Sequence, residues 1–265
     1  MTTLNYRRSG PKGNVPLVLL HALPVNQTMW DQVRSELPDV DLITVDAPGF
    51  GNSPEAEEFN PGPPSGDTYI NALKATLDLL GVDKIALGGL SMGGSFAADF
   101  ATAYPAMVAG LALMDTNIGA DDQDRKDFRE QVAQACDAGE GYDAVKMWLE
   151  KGHPADMIGS DISDEVRADL DRRFQELKNP GLAWIMRALA EREDATDVIE
   201  LIDGPVYFIR GSDDPTCSLE YFMELALKAK SPRIVEIEGA GHFTADEKPV
   251  ELAQVLREFA QRASV

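Results

Sequence analysis

The sequence predicts an α/β protein: a mostly parallel sheet with helices on both faces. Three observations carry that expectation. Short apolar runs alternate with helix-length segments, the rhythm of strands joined by crossover helices. Most runs are continuously apolar, as in strands covered on both faces. Nearly every run ends in a polar or glycine-rich turn, and ligands of open α/β sheets bind beyond the carboxyl ends of the strands.

In chain order, the first expected strand is Leu17–Leu20, ending at His21, and the second is Leu42–Val45, ending in Asp46-Ala-Pro-Gly-Phe-Gly51. Ile85–Leu87 leads into Gly88-Gly-Leu-Ser-Met-Gly-Gly94, and Leu111–Met114 ends at Asp115. Val206–Ile209 precedes Gly211-Ser-Asp-Asp214, and Ile234–Ile237 precedes Gly239-Ala-Gly-His242. From about Asn117 to Asp203 no strand pattern appears. Phe128, Val132 and Cys136 recur at four-residue spacing, as do Val166, Leu170 and Phe174, which predicts helices. Ser163 is placed to cap the second of these, and Asn179-Pro180-Gly181 to break its end. The expected organisation is a core of residues 1–117 and 204–265 with residues 118–203 inserted as a helical cap. The proline-rich Asn60-Pro-Gly-Pro-Pro-Ser65 reads as a surface loop.

Of 265 residues, 44% are hydrophobic and 26% charged, enough apolar material for one large core. Collagen-like, low-complexity and wholly disordered classes are excluded. The 45 acidic residues against 24 basic ones give a net charge of −21. Nucleic acid and anionic membrane both need a basic surface, so neither is expected as main partner. The segment Met1–Arg8 lacks the apolar core of a signal peptide. The apolar stretch Pro16–Leu20 falls far short of the roughly 20 residues of a membrane helix. Cys136 and Cys217 have no metal-like spacing and read as free thiols in a reducing compartment, which points to the cytoplasm.

The chemistry concentrates in Gly89-Leu90-Ser91-Met92-Gly93, which fits the G-x-S-x-G nucleophile elbow and lies between a strand and a helix. A tight, strained turn pushes the Ser91 hydroxyl into a cleft, and the glycines let neighbouring backbone approach. The following helix, with small Ser95, Ala97, Ala98 and Ala101, directs its N-terminal dipole at developing negative charge. Serine needs a base to take its proton, and imidazole titrates near neutrality. His242, one of three histidines, follows the last strand and is the expected base. His153, in Lys-Gly-His-Pro, reads as a turn residue. The acid that orients the imidazole is Asp214, with Asp213 and Asp115 as competitors. The order Ser91, Asp214, His242 differs from that of chymotrypsin and subtilisin.

These pieces, together with His21-Ala-Leu-Pro24, Trp30 and Asp46-Ala-Pro-Gly-Phe-Gly-Asn-Ser53, resemble the α/β-hydrolase superfamily along essentially the whole chain. The resemblance implies an α/β-hydrolase fold with an inserted helical lid. It also implies an oxyanion hole formed by the backbone N–H groups of Leu23 and Met92, such donors contributing about 3 kcal/mol each. His21 is then a support for its loop. Gly89-Leu-Ser-Met-Gly-Gly94 and Leu113-Met-Asp-Thr116 are most similar to the 3-oxoadipate enol-lactonase group and related small esterases. Asp46-Ala-Pro-Gly-Phe50 instead resembles the C–C bond and epoxide hydrolases, but Ser91 excludes chemistry that needs a carboxylate nucleophile.

The expected reaction is hydrolysis of a small carboxylic ester, thioester or lactone through an acyl-serine intermediate, with no metal or organic cofactor. Phe50, Trp148, Trp184 and Met186, beside Met92, are the expected lining of the substrate pocket. An enol-lactone acid substrate, which the resemblance implies as one option, would want a cationic lid residue, and Arg129, Arg187 and Arg192 are the candidates; they read as solvated helix-face arginines. Other readings use the same residues: a C–C bond hydrolase acting on a vinylogous diketone, a perhydrolase side activity, and a non-catalytic receptor-like homologue.

Overall fold

The apolar runs do become strands, and their hydrogen bonding places every polar turn at one edge. The computed structural model describes residues 2–13 and 15–265. Its strands are β1 (Tyr6–Ser9), β2 (Leu17–Leu20), β3 (Leu42–Val45), β4 (Ile85–Leu90), β5 (Val108–Met114), β6 (Val206–Gly211) and β7 (Pro232–Ile237). They form one sheet in the order β1-β3-β2-β4-β5-β6-β7. Only β1 runs antiparallel, pairing Tyr6 with Val45 and Ser9 with Leu42. Among the parallel pairs, Leu20 stands beside Gly89 and Leu90 beside Met114. His21, Ser91 and Asp115 therefore emerge side by side.

β2, β3, β4 and β6 are buried along their whole length, as continuously apolar strands should be. Two strands depart from that pattern. β1 reads Tyr-Arg-Arg-Ser, too polar to announce a strand, and is held by its antiparallel ladder and by Arg8 gripping Asp41 at 2.8 and 2.7 Å. β7 closes the other edge and is largely uncovered, so burial on both faces does not extend to it.

Helices α1 (Gly66–Leu79) and α2 (Met92–Ala103) follow in the first half of the chain. Ser65 ends the proline-rich loop by capping α1, its hydroxyl accepting from the Asp67 amide at 3.2 Å. α2 packs on β2, β4 and β5, a close approach its small buried residues Gly93, Gly94, Ala97, Ala98 and Ala101 permit. Between β5 and β6 come α3 (Gln123–Asp137), α4 (Asp164–Gln175) and α5 (Asn179–Ala190) with shorter helical turns. α3 packs along α5. Val132 and Cys136 bury one face of α3, and Leu170 and Phe174 one face of α4, as the four-residue spacing predicts. Ser163 caps α4 through the Val166 amide. Asn179-Pro180 does more than end a helix: with its fixed φ, Pro180 opens the first turn of α5. α6 (Leu219–Ala226) and α7 (Pro249–Ala263) complete the chain.

Cys136 and Cys217 are free and buried. Among the described residues, no helix is long and apolar enough to cross a membrane.

Candidate active site

Ser91 ends β4 and begins α2 with φ 55° and ψ −117°, a conformation costing about 1–3 kcal/mol that the surroundings must impose. They do so by hydrogen bonds. The Ser91 amide donates to the Met114 carbonyl at 2.8 Å, and the Thr116 hydroxyl donates to the Ser91 carbonyl at 2.7 Å. The flanking glycines are required by space. A Cβ on Gly89 would lie 2.1 Å from Gly93 backbone, and one on Gly93 would lie 2.3 Å from the Leu20 carbonyl oxygen. Met92 is the first residue of α2, so its N–H has no acceptor within the helix. Among the described residues, neither the Met92 nor the Leu23 amide donates to another protein group. Both residues line the same cavity as Ser91.

The His242 ring is brought to this cavity by the loop after β7, and its Nδ1 lies 3.1 Å from Asp214 Oδ2. The Thr216 hydroxyl donates to Asp214 Oδ1 at 2.8 Å, and its oxygen stands 3.0 Å from Nδ1. Both neighbours of Nδ1 are acceptors, so the proton belongs on Nδ1 and the lone pair on Nε2. Burial opposes ionisation of Asp214, but His242 and the Thr216 donors outweigh it and hold its pKa below the ordinary carboxylate value.

The competing acids sit differently. Asp213 turns away, accepting from the Ser160 amide at 2.9 Å and the Ser160 hydroxyl at 2.6 Å. Asp115 also has positive φ, 45°, and accepts from the Gly211 amide at 2.7 Å and the Thr244 hydroxyl at 2.8 Å. Burial first, and then the neighbouring Asp214 charge, push its pKa well above the usual range. The two carboxyl pKa values are pushed in opposite directions, Asp214 down and Asp115 up.

His21 is fully buried, and that burial lowers its pKa despite the Ala22 carbonyl. Its Nε2 accepts from the Ala47 amide at 3.0 Å and its Nδ1 lies 2.9 Å from the Ala22 carbonyl, so both nitrogens are occupied in tying two loops together. His153 is an exposed turn residue whose Nδ1 accepts from the Ala155 amide.

Two functional neighbours escaped the sequence reading. Thr216 is one. Glu247 is the other: its buried carboxylate accepts from the amides of Gly159 (2.8 Å), Gly241 (2.9 Å) and Phe243 (2.9 Å). His242 is thus gripped on both sides, and its own amide donates to the Met157 carbonyl at 2.7 Å. The spacing of five residues between His242 and Glu247 is the only signal in the sequence, and it takes the fold to give it meaning. Glu247→Ala would leave three buried N–H groups without an acceptor, at about 1–3 kcal/mol each. Thermal unfolding should show a loss of at least about 3 kcal/mol, and Glu247→Gln should recover part of it.

The cavity encloses about 80 Å³ and is walled by the strand-end loops below and by residues of the 118–203 segment above. Trp148 and Met186 line it. Phe50 and Trp184 do not. Phe50 is buried against the His21 ring, 5.3 Å between centroids. Trp184 lies two positions from Met186 on α5, about 200° around the helix, and so faces the opposite way. Two of the arginines read as solvated, Arg129 and Arg192, also line the cavity, together with Arg125. Arg187 instead pairs with Glu130 and Asp137 and is not among the lining residues.

Known proteins share this fold. A thermophilic esterase from Thermogutta terrifontis, solved with malate bound, superposes with a TM-score of 0.86 at 28% identity, covering 99% of this chain and 94% of that one. An enol-lactonase from Burkholderia xenovorans has the same fold, with a TM-score of 0.82 at 22% identity over 97% of this chain and 96% of that one. Lipase LipV of Mycobacterium tuberculosis is 27% identical, covering 96% of both chains. The model of the alpha/beta hydrolase family matches residues 17–255, and the chain belongs to that family.

Proposed function

We propose that this hydrolase cleaves small carboxylic esters, thioesters or lactones through an acyl-serine intermediate, with Ser91, His242 and Asp214 as the triad. The observation that carries this reading is the Asp214–His242 pair opening on the same cavity as a strained, glycine-flanked serine at a helix N-terminus. His242 Nε2 takes the Ser91 proton as Oγ attacks the carbonyl, and Asp214 balances the imidazolium. The tetrahedral oxyanion is received by the Met92 and Leu23 amides. Collapse releases the alcohol or thiol, which takes the proton from His242, and a water activated by the same imidazole then hydrolyses the acyl-serine. Residues 118–203 act as the lid that excludes bulk water. The 28% identical esterase supports ester cleavage, and the small cavity favours short acyl groups over fatty ones. The test is an acyl series of p-nitrophenyl esters alongside a meta-cleavage-type diketone. Turnover is expected for acetate and butyrate, falling with chain length. Cleavage of the diketone alone would overturn the ester reading.

A further inference from the structure

We infer that Arg125, Arg129 and Arg192 form a carboxylate-binding subsite, so that the preferred substrate is an ester carrying a free carboxylate a short spacer away from the scissile carbonyl. The substrate assignment rests on the hydrolase reading above; the anion subsite itself does not.

Arg125 and Arg129 stand one turn apart on α3, and Arg192 follows α5. All three line the cavity that holds Ser91 and His242. The Arg129 and Arg192 side chains are only 9% and 8% exposed. Burying a guanidinium is costly, so both need partners. One carboxylate, Asp121, serves the two: Arg129 Nε bonds to it, and Arg192 Nη2 donates to it at 2.7 Å. Arg192 Nη1 donates to the Ser95 hydroxyl at 2.6 Å and the Asn117 carbonyl at 3.0 Å.

Hydrogen-bonding capacity is left over on these cavity-lining arginines. Arg192 Nε is buried with no partner. Arg129 Nη1 reaches only the Met186 sulfur, at 3.9 Å. The Arg125 guanidinium lies over the Phe128 ring at 5.9 Å and makes no side-chain hydrogen bond among the described residues. Asp121 stands behind these arginines, the charge of Asp99 reaches Arg192, and that of Asp122 reaches Arg125. None of these three acids lines the cavity, and among the described residues the one carboxyl that does so beside the arginines is Asp115, which is held by the Gly211 amide and the Thr244 hydroxyl. A chain of net charge −21 therefore turns cations into its cavity. Guanidinium forks match carboxylate geometry bidentately, which makes a carboxylate the natural occupant.

The spacing limits the substrate. Ser95, the residue Arg192 holds, is four positions along α2 from Ser91, about 6 Å of helix rise. A carboxylate there is separated from the reacting carbonyl by a short chain. It could sit on the acyl or the alcohol side, and both are tested below.

The experiment compares kcat/KM for mono-p-nitrophenyl glutarate with p-nitrophenyl pentanoate, and for ethyl acetate with acetoxyacetate. Glutarate binding to Ser91→Ala is measured by calorimetry. At least one charged ester should exceed its neutral counterpart tenfold or more at low salt. Arg125→Gln should cut that ratio at least fivefold, while Arg187→Gln, outside the cavity, leaves it unchanged. Glutarate should bind Ser91→Ala. Charged esters turned over no faster than neutral ones would overturn the substrate assignment and leave the hydrolase reading intact. Glutarate binding with no ester cleaved at all would overturn the hydrolase reading and leave the anion subsite standing. Absence of glutarate binding would overturn the subsite.

Discussion

Ser91→Ala is expected to lower kcat/KM for p-nitrophenyl butyrate by a factor of about 10⁵ or more. In the proposed mechanism the hydroxyl is the attacking group, and among the described residues no neighbouring hydroxyl is free to replace it. Ser95, the next hydroxyl along α2, is engaged with Arg192 and with the Asn117 carbonyl. The substitution removes no hydrogen bond that holds the elbow, because the bonds at Ser91 are made by its backbone. Thermal stability should therefore stay within about 1 kcal/mol of the parent, which separates lost chemistry from lost fold. Activity within tenfold of the parent would contradict the serine mechanism.

The second large effect is expected at Asp214. Asp214→Asn should reduce kcat by about 10⁴, because an amide facing Nδ1 favours the wrong tautomer and no longer balances the imidazolium. Asp115→Asn should cost less than about tenfold, since Asp115 bonds to the Gly211 amide and the Thr244 hydroxyl while Asp214 faces the imidazole. The two also differ in stability against pH. The Asp214 pKa is lowered by folding, so its contribution is present above the ordinary carboxylate pKa and disappears as pH falls through the folded value. The Asp115 pKa is raised, so its contribution is full at low pH and disappears as pH rises through the folded value. Asp115→Asn should flatten the fall in stability as pH rises above the ordinary carboxylate pKa. If Asp115→Asn destroyed activity and Asp214→Asn spared it, the assignment of the acid would be reversed.

Much of this architecture was legible because it is written in local chemistry. β2 to β6 announce themselves as apolar runs, since a strand buried on both faces has no polar positions to interrupt it. The elbow is legible because Gly89 and Gly93 answer backbone contacts that only glycine tolerates. His242 and Asp214 are legible because both follow strands that end at the same edge. What was not legible depends on pairing across long sequence separations. β1 exists through its register with β3, not through its own polar residues. Glu247 matters because three amides from two distant segments converge on it. Arg129 and Arg192 looked like solvated helix faces because nothing local reveals that Asp121 draws both inward. Trp184 was misplaced for a related reason: composition marks α5 as apolar, but only its packing shows which side meets the cavity.

The central claim is that Ser91 becomes acylated with His242 as its base. Intact-protein mass spectrometry after treatment with a fluorophosphonate tests it most directly. The expected result is one adduct per chain, mapped to Ser91, and strongly slowed labelling in His242→Ala. A protein that hydrolyses esters yet carries no label on Ser91 would contradict it.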